Sequence, residues 1–220
     1  GLMNEGITST RLKRRGIPAA AEWIMVFRDL ALARLTGGWL HIAHVSTEES
    51  VNIIRRAKKA KIKVTAEVTP HHLTLTEDKV MFGGSNAKVN PPLRTEKDIE
   101  ALIQGLKEGI IDIIATDHAP HTSAEKKAGM EKAPSGISGL ETALGSLMGL
   151  VYSGEIELNL LISKLTSEPA RILGDRNMKL GTFAMKVPIF VFRALLRTRI
   201  PMATASCAGL DALGCLADCR

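Results

Sequence analysis

Cysteine is missing from this 220-residue chain until Cys207, and the three that occur, Cys207, Cys215 and Cys219, lie close to the C-terminus. They form no Cys-x-x-Cys pair, and their odd number argues against a disulfide framework. We therefore expect a reduced, cytoplasmic chain. The sequence also has no apolar run of 18 residues and no basic-then-apolar leader. It predicts neither a membrane span nor a secretory signal.

An initiator methionine is also missing, because the chain opens on Gly1 and continues directly into Leu-Met-Asn-Glu-Gly. We interpret this opening as a sequence that begins inside a longer protein.

The net charge of +6 raises the question of nucleic-acid binding. Half of that excess lies in residues 183–220, which hold five basic and two acidic residues. The basic cluster at 55–59 falls on a predicted helix and is better explained as a solvated face. We expect no nucleic-acid partner. With 45% hydrophobic and 24% charged residues, the chain is long enough for one substantial core.

Apolar runs alternate with helical periodicity along the first half of the chain. The pattern predicts, in order, a helix over 18–35, a strand over 39–45, a helix after a Ser46–Glu49 capping box, a strand over 62–68, a helix after a Thr95–Asp98 capping box, and a strand over 110–116. Loops are predicted over 71–93 and 118–139, followed by helices over 140–151, 158–165 and 168–173.

This alternation is typical of a parallel α/β fold, and the apolar strands suit burial on both faces. A barrel is plausible, in which reactive groups follow the C-terminal ends of the strands. Five of the six histidines and Asp117 occupy such positions: His44, His71, His72, His118 and His121. Core packing alone would not require that grouping.

Zinc accepts neutral imidazole and carboxylate ligands, and an open coordination position lets it activate water. His44 and Asp117, which end two different predicted strands, are the best candidates for such ligands. A lone histidine is more often structural. Asp117 has the stronger case, because an acidic residue that ends an apolar strand needs a local reason to be there.

Two neighbouring segments leave their roles open. In Thr69-Pro-His-His72, adjacent histidines on an extended chain would point to opposite sides, so one could face the site while the other packs. Asn90-Pro-Pro92 forms a rigid turn, and the amide of Asn90 could offer a donor and an acceptor to a ligand. A simple turn explains the second segment equally well.

Five motifs in a fixed order resemble those of the long, bacterial-type dihydroorotases of the amidohydrolase superfamily. They are His-Val-Ser-Thr at 44–47, Glu-Val-Thr-Pro-His-His-Leu at 67–73, Val-Asn-Pro-Pro-Leu-Arg at 89–94, Ala-Thr-Asp-His-Ala-Pro-His at 115–121, and Glu-Lys-Ala-Pro-x-Gly-Ile at 131–137. The resemblance covers about residues 1–182.

The resemblance implies an incomplete (β/α)8 TIM-like barrel that contains only the C-terminal strands and helices. It places His44 at the end of the sixth strand as a zinc ligand and Asp117 at the end of the eighth as a metal contact. Asp117 would also shuttle a proton from the attacking water to the departing ring nitrogen of dihydroorotate. The reverse reaction closes N-carbamoyl-aspartate, a step of pyrimidine biosynthesis.

Substrate contacts are also implied. Asn90 and His121 match positions that hold the substrate, with His121 near its carboxylate. The turn formed by Pro134, Ser135 and Gly136 would add backbone contacts. A homodimer, or a complex with a transcarbamoylase, is the macromolecular partnership that the family suggests.

The chain departs from the family pattern in three places. A His-x-His pair on the first strand and an aspartate on the fourth are not present, so we expect them upstream of Gly1 and predict an inactive fragment. Asn4 stands where the family often has a zinc-binding histidine, which leaves the count of one or two zinc ions open. Residues 183–220 form an atypical tail, for which we favour an out-of-frame reading over a genuine terminal helix.

Two other functions remain open. A non-catalytic, dihydroorotase-like subunit could keep the barrel as a scaffold, although it would not need His44, Asn90, Asp117 and His121 together. A related cyclic amidohydrolase, a hydantoinase or allantoinase, would share the barrel and the metal. His121 favours an acidic ring over their substrates.

Overall fold

In a computed structural model of the chain, residues 1–174 are described. The predicted tail at 183–220 and its boundary at residue 182 lie outside the described residues. Five strands are present in the described range: β1 Met3–Asn4, β2 Gly16–Ile17, β3 Leu40–Ile42, β4 Val64–Val68 and β5 Ile113–Ile114.

Ten α-helices and one short 3₁₀ turn at Gly84–Ala87 account for the remaining regular structure of residues 1–174. The helices are α1 Ile7–Arg11, α2 Ala20–Thr36, α3 Glu48–Lys59, α4 Pro70–Thr74, α5 Lys79–Gly83, α6 Glu96–Lys107, α7 Ser123–Lys127, α8 Ala143–Tyr152, α9 Leu158–Leu165 and α10 Ser167–Ile172.

The strands β3, β4 and β5 form a parallel sheet in that order, with Ile42 opposite Ala66 and Val68 opposite Ile114. The helix α3 connects β3 to β4, and α6 lies between β4 and β5. A separate parallel pair joins β1 to β2. The predicted parallel α/β alternation is therefore confirmed. The carboxyl ends of all three strands in the larger sheet lie at the same edge.

The core lies where α3 and α6 pack against the sheet. Its fully enclosed side chains include Ile54, Ala66, Val68, Leu102, Leu106 and Ile111. The amphipathic spacing of apolar residues in α3 and α6 places these side chains on one face, and burial of that face stabilises both helices. Within residues 1–174, no helix is long and apolar enough to cross a membrane.

Two predictions about helix starts had different outcomes. The Thr95–Asp98 capping box is present, since each side chain bonds the other residue's backbone N–H. The predicted Ser46–Glu49 box is wrong. The helix α3 is capped by Thr47, whose hydroxyl accepts from the backbone N–H of Ser50 at 3.3 Å. The Ser46 hydroxyl instead donates to the carboxylate of Glu22, on a different helix.

Two strands and two predicted loops also differ from prediction. The strands β3 and β5 are shorter than expected, although backbone hydrogen bonds from Asp112 to Ala66 and from Ala115 to Val68 continue alongside β4. The region 71–93 is not a loop, because it contains most of α4, all of α5 and the 3₁₀ turn. The region 118–139 contains α7, whose Thr122–Glu125 capping box is local.

Candidate functional site

Three segments that contain histidine or aspartate follow the three parallel strands at one edge of the sheet. His44 lies two residues beyond β3, the Thr69-Pro-His-His72 segment begins directly after β4, and Asp117 lies three residues beyond β5. Because β4 lies between β3 and β5, the middle segment lies between His44 and Asp117. The sheet therefore brings the two predicted metal ligands to the same edge, on either side of the segment that follows β4.

His44 and Asp117 share an unusual backbone conformation. Their φ angles are 40° and 48°, in the left-handed region that non-glycine residues seldom occupy. Such a conformation costs about 1–3 kcal/mol and persists only where the surrounding structure enforces it. Both predicted site residues are thus held in strained positions at strand ends.

The Asp117 carboxyl lies in an unusual electrostatic environment. Asp117 as a residue is exposed, but partial desolvation of its carboxyl raises its pKa above the ordinary value. The nearby imidazole of His44 opposes that rise, and the negative charge of Glu67 adds to it. His44, Glu67 and Asp117 therefore form one interacting group, in which Asp117 takes up a proton more readily than an ordinary aspartate.

The two adjacent histidines after β4 do not point to opposite sides, so that prediction is wrong. Thr69 caps a short helix, and His71 and His72 lie in its first turn instead of on an extended chain. Both side chains are buried, with ring centroids 4.6 Å apart. Helical geometry places consecutive side chains about 100° apart, which allows the two rings to meet.

His72 is a structural residue. Its Nε2 lies 2.9 Å from the carbonyl of Pro91 and its Nδ1 lies 2.8 Å from the hydroxyl of Thr69. Burial lowers the His72 pKa to about 4, although the hydrogen bond to Pro91 and the charge of Glu22 oppose that shift, so the ring is neutral at pH 7. A carbonyl can only accept, which places the proton on Nε2 and makes the Thr69 hydroxyl the donor to Nδ1.

His71 differs from its neighbour. Its Nε2 is buried and has no hydrogen-bond partner among residues 1–174. Burial lowers its pKa to about 3, helped by the nearby rings of His72 and His44. A buried nitrogen without a partner is uncommon in a folded protein and needs an explanation. The sequence did not indicate which of the two histidines would have partners for both ring nitrogens.

A cleft connects His44 with Asn90. Its walls include both residues, together with His41 from β3 and Arg94, and it encloses about 340 Å³. That volume is at the lower end of the range for small-molecule sites. Asn90 is exposed, and its peptide bond to Pro91 is cis. The structure therefore brings this predicted substrate contact to the same cavity as a predicted metal ligand.

Arg94 is the centre of a buried polar network that the sequence did not predict. Its side chain is 2% exposed, and its Nη1 donates to the Asn4 side-chain oxygen at 2.7 Å and to the Ile17 carbonyl at 2.9 Å. Its Nε donates to the Ser46 hydroxyl at 3.1 Å. The charge of Glu22, 3.9 Å away, completes the surroundings of the guanidinium.

Both polar atoms of the Asn4 side chain have a partner in this network. Its amide oxygen accepts from Arg94, and its amide nitrogen donates to the buried carboxylate of Glu77. These two bonds give Asn4 a structural role in the buried network.

Glu22 fixes the backbone that follows His44. Its carboxylate accepts from the backbone N–H groups of Ser46 and Thr47 at 3.0 and 3.1 Å, and from the hydroxyls of both residues. The Ser50 hydroxyl adds a further bond at 2.8 Å. Glu22 lies in the first turn of α2 and was not predicted as a site residue. The sequence signal for this contact was limited to the hydroxyl residues Ser46, Thr47 and Ser50.

The predicted substrate turn lies against His121. The Nε2 of His121 is 3.1 Å from the Ser135 carbonyl, and the backbone N–H of Ala119 donates to the Ile137 carbonyl at 2.9 Å. Gly136 has a φ of 130°, and a Cβ there would lie 2.7 Å from the Cβ of Ala119. Only glycine permits this close approach of the two segments.

His118 links the same two segments. Its Nδ1 accepts from the backbone N–H groups of Gly139 and Leu140 at 3.2 and 3.1 Å. That ring nitrogen is therefore not available for a metal, and His118 has a structural role among the clustered histidines.

The part of the chain that the structure describes holds no group of three or more His, Cys, Asp or Glu residues placed to bind a metal ion. His44 and Asp117 have suitable chemistry and positions for two ligands of such a shell. The described residues alone therefore cannot complete a metal site.

Residues 4–185 match the model of the amidohydrolase family. This range agrees closely with the motif resemblance over residues 1–182. Among curated proteins, a dihydroorotase of Caldanaerobacter subterraneus subsp. tengcongensis is 54% identical over 178 residues, which are 80% of this chain and 41% of that protein. A dihydroorotase of Carboxydothermus hydrogenoformans is 53% identical over 190 residues, 84% of this chain and 44% of that protein.

Solved structures with a similar fold include a dihydropyrimidinase from Brevibacillus agri. It is 28% identical with a TM-score of 0.70, and the match covers 74% of this chain and 38% of that one. An L-hydantoinase from Arthrobacter aurescens is 30% identical with a TM-score of 0.66, covering 71% and 36%. The chain thus spans less than half the length of the proteins that it matches.

Proposed function

Because the chain belongs to the amidohydrolase family, we propose that it is the C-terminal part of a dihydroorotase, which reversibly hydrolyses the cyclic amide of dihydroorotate. The predicted fold class, a partial TIM-like barrel of this superfamily, is confirmed by the family match and the structural similarity. The observation that carries the proposal is the position of His44 and Asp117, both with strained backbone, at the ends of the two parallel strands that flank β4.

Asp117 would move the proton in this reaction. The oxygen of a water molecule attacks the ring carbonyl while the Asp117 carboxylate accepts its proton, and the same proton then passes to the ring nitrogen as the C–N bond breaks. The reverse sequence closes N-carbamoyl-aspartate. Partial desolvation raises the pKa of Asp117. It supports this role because it favours the protonated carboxyl, which is the form of Asp117 between the two proton transfers.

A zinc ion would be held by His44 and Asp117 together with ligands that lie outside the described residues. When bound, such an ion polarises the amide carbonyl and lowers the pKa of water. The relatives are more than twice as long as the match to this chain, which supports the expectation that other strands of the complete protein supply those ligands. One or two ions remain compatible with the proposal.

The substrate would lie between the His44 cleft and the His121 segment. Asn90 opens into the cleft, and its amide suits the polar groups of a cyclic imide. His121 and the turn at Pro134, Ser135 and Gly136 would contact the carboxylate of the ring. The contact between the His121 imidazole and the Ser135 carbonyl, at 3.1 Å, keeps the ring beside this turn.

A related cyclic amidohydrolase is the second candidate, favoured by the fold similarity to proteins named dihydropyrimidinase and hydantoinase. Identities of 53–54% to dihydroorotases, against 28–30% to those structures, favour the first candidate. A scaffold that assists a transcarbamoylase would require none of the strained, clustered site residues.

The test uses the complete protein that contains this chain, loaded with zinc, with dihydroorotate, hydantoin and dihydrouracil as alternative substrates. We expect dihydroorotate to be hydrolysed at least ten times faster than the other two, and we expect the upstream reading frame to encode a His-x-His pair. Preference for hydantoin or dihydrouracil would establish the second candidate. Binding of a transcarbamoylase without any hydrolysis would establish the scaffold.

The variant Asp117→Asn tests the proton-transfer role. Asparagine tolerates the left-handed conformation, so the fold should be retained. Because the asparagine amide cannot accept the proton, we expect kcat to fall by at least a thousandfold, with an unchanged circular dichroism spectrum. Activity within tenfold of the parent would contradict the role of Asp117.

A further inference from the structure

Two lysines hold the segment that contains the predicted substrate turn. Lys88 lies after the 3₁₀ turn, and its Nζ donates to the carbonyls of Met130 and Ala133 at 2.7 and 2.6 Å. Lys126 lies on α7, and its Nζ donates to the Pro134 carbonyl at 3.0 Å. The same ammonium group reaches the carbonyls of Ser85 and Lys88 at 3.2 and 3.3 Å.

The contacts make a continuous connection between the two lysines. The backbone N–H of Gly136 donates to the Lys88 carbonyl at 2.9 Å, so this one residue is joined to the segment through both its side chain and its backbone. The Ser85 hydroxyl also donates to the Lys126 carbonyl. Three carbonyls of residues 130–134 thus receive ammonium donors.

Lys126 is buried, with 6% of its surface exposed, although lysine is among the residues least often enclosed in a protein. Removal of an ammonium ion from water is unfavourable unless hydrogen bonds replace its hydration. Charge-assisted hydrogen bonds to carbonyls are stronger than neutral ones, and they compensate for that loss here. Such an arrangement fixes a segment that has no helix or strand of its own.

We propose that Lys88 and Lys126 are positioning residues that hold the segment from Met130 to Gly136 against His121, and that this clamp determines how tightly the acidic ring is bound. The inference rests on the proposed function, because it assigns the segment to the substrate. Neither lysine touches the reacting atoms. Loosening the clamp should therefore weaken binding of substrate and product while leaving the proton-transfer step largely intact.

The test compares Lys126→Met and Lys88→Met with Lys127→Met in the complete, zinc-loaded protein. Methionine keeps the length of the lysine stem but removes the ammonium group. Lys127 is the exposed neighbour of Lys126 on the same helix, so its replacement serves as the matched control. We expect KM for dihydroorotate and carbamoyl-aspartate to rise at least tenfold in both clamp variants, with kcat within threefold of the parent.

Hydrogen exchange of residues 129–136 gives a second measurement that does not depend on activity. Exchange should become at least tenfold faster in both clamp variants and remain unchanged in Lys127→Met. If Lys126→Met does not fold, Lys88→Met provides both measurements. Unchanged exchange in a folded variant would overturn the clamp, and faster exchange with an unchanged KM would overturn its link to the substrate.

Failure of the proposed function would look different. If the parent protein does not act on dihydroorotate, the clamp is tested by the exchange of residues 129–136 and by KM for the cyclic amide that the parent protein does hydrolyse. A higher exchange rate together with a higher KM in the clamp variants would support the clamp, with a different substrate. Faster exchange in a protein that hydrolyses none of these amides would overturn the proposed role in substrate binding.

Discussion

His44 and Asp117 adopt the same left-handed backbone conformation, at the ends of two strands that lie on either side of β4. The sheet fixes their separation, while Glu22 holds the residues that follow His44. Local strain and long-range hydrogen bonds thus act on the same short segment.

The strain at His44 predicts how substitutions there affect stability. Asparagine accepts a left-handed conformation, whereas a β-branched side chain does not. We expect His44→Val to lower the free energy of unfolding by about 1–2 kcal/mol more than His44→Asn does. Urea denaturation of the metal-free complete protein measures the difference. The same pair of substitutions at Ala43, where φ is not positive, is the control and should show no such penalty.

The Arg94 network predicts a large loss of stability when its centre is removed. Arg94→Met would leave the Asn4 oxygen and the Ile17 carbonyl without this donor, and the nearby carboxylates without its charge. Breaking a buried ion pair from one side typically costs about 3–5 kcal/mol. Arg56→Met, on an exposed position of α3, should change the free energy of unfolding by less than about 0.5 kcal/mol. Similar effects at both positions in urea denaturation would contradict the role of the network.

His71 predicts a stability that falls in acid. Its pKa is about 3 in the folded chain, against 6.5 for an ordinary histidine, so the unfolded chain binds the extra proton first. The stabilisation is complete above pH 6.5 and decreases as the pH falls from 6.5 toward 3. His71→Gln should therefore flatten the dependence of unfolding free energy on pH between 6.5 and 4.

Urea midpoints of the metal-free protein at intervals between pH 8.5 and 4 would test this prediction. Above pH 7.5 the histidine is neutral in both states, so the parent and variant curves should run parallel there. Curves that also remain parallel down to pH 4 would show that His71 does not cause the acid sensitivity.

An alanine at Gly136 should cause a steric effect, and the same substitution at Gly129 separates that effect from backbone strain. An alanine Cβ at Gly136 would lie 2.7 Å from the Cβ and 2.9 Å from the carbonyl oxygen of Ala119, whereas one at Gly129 would meet nothing within 4 Å. Both glycines have positive φ angles, so both variants carry backbone strain. We expect Gly136→Ala to raise KM for dihydroorotate at least fivefold more than Gly129→Ala does. Equal KM values in the two variants would rule out a requirement for this close approach.

The sequence by itself determined the features that depend on neighbours a few residues apart. The spacing of apolar residues predicted α2, α3 and α6, and the Thr95–Asp98 pair predicted a helix start that the structure retains. It also placed His44 and Asp117 directly after apolar strands. Because the carboxyl ends of parallel strands meet at one edge of the sheet, this order predicted that the two residues share that edge.

Only the tertiary structure decided the features that depend on residues far apart in the chain. Ser46 does not cap α3 because Glu22, 24 residues earlier, accepts its hydroxyl. Asn4 is held by Arg94, 90 residues later, and the segment near Pro134 is held by Lys88. The spacing of apolar residues along the sequence indicates helices and strands. It does not indicate which distant donor reaches a buried acceptor, since that choice follows from packing of the whole fold.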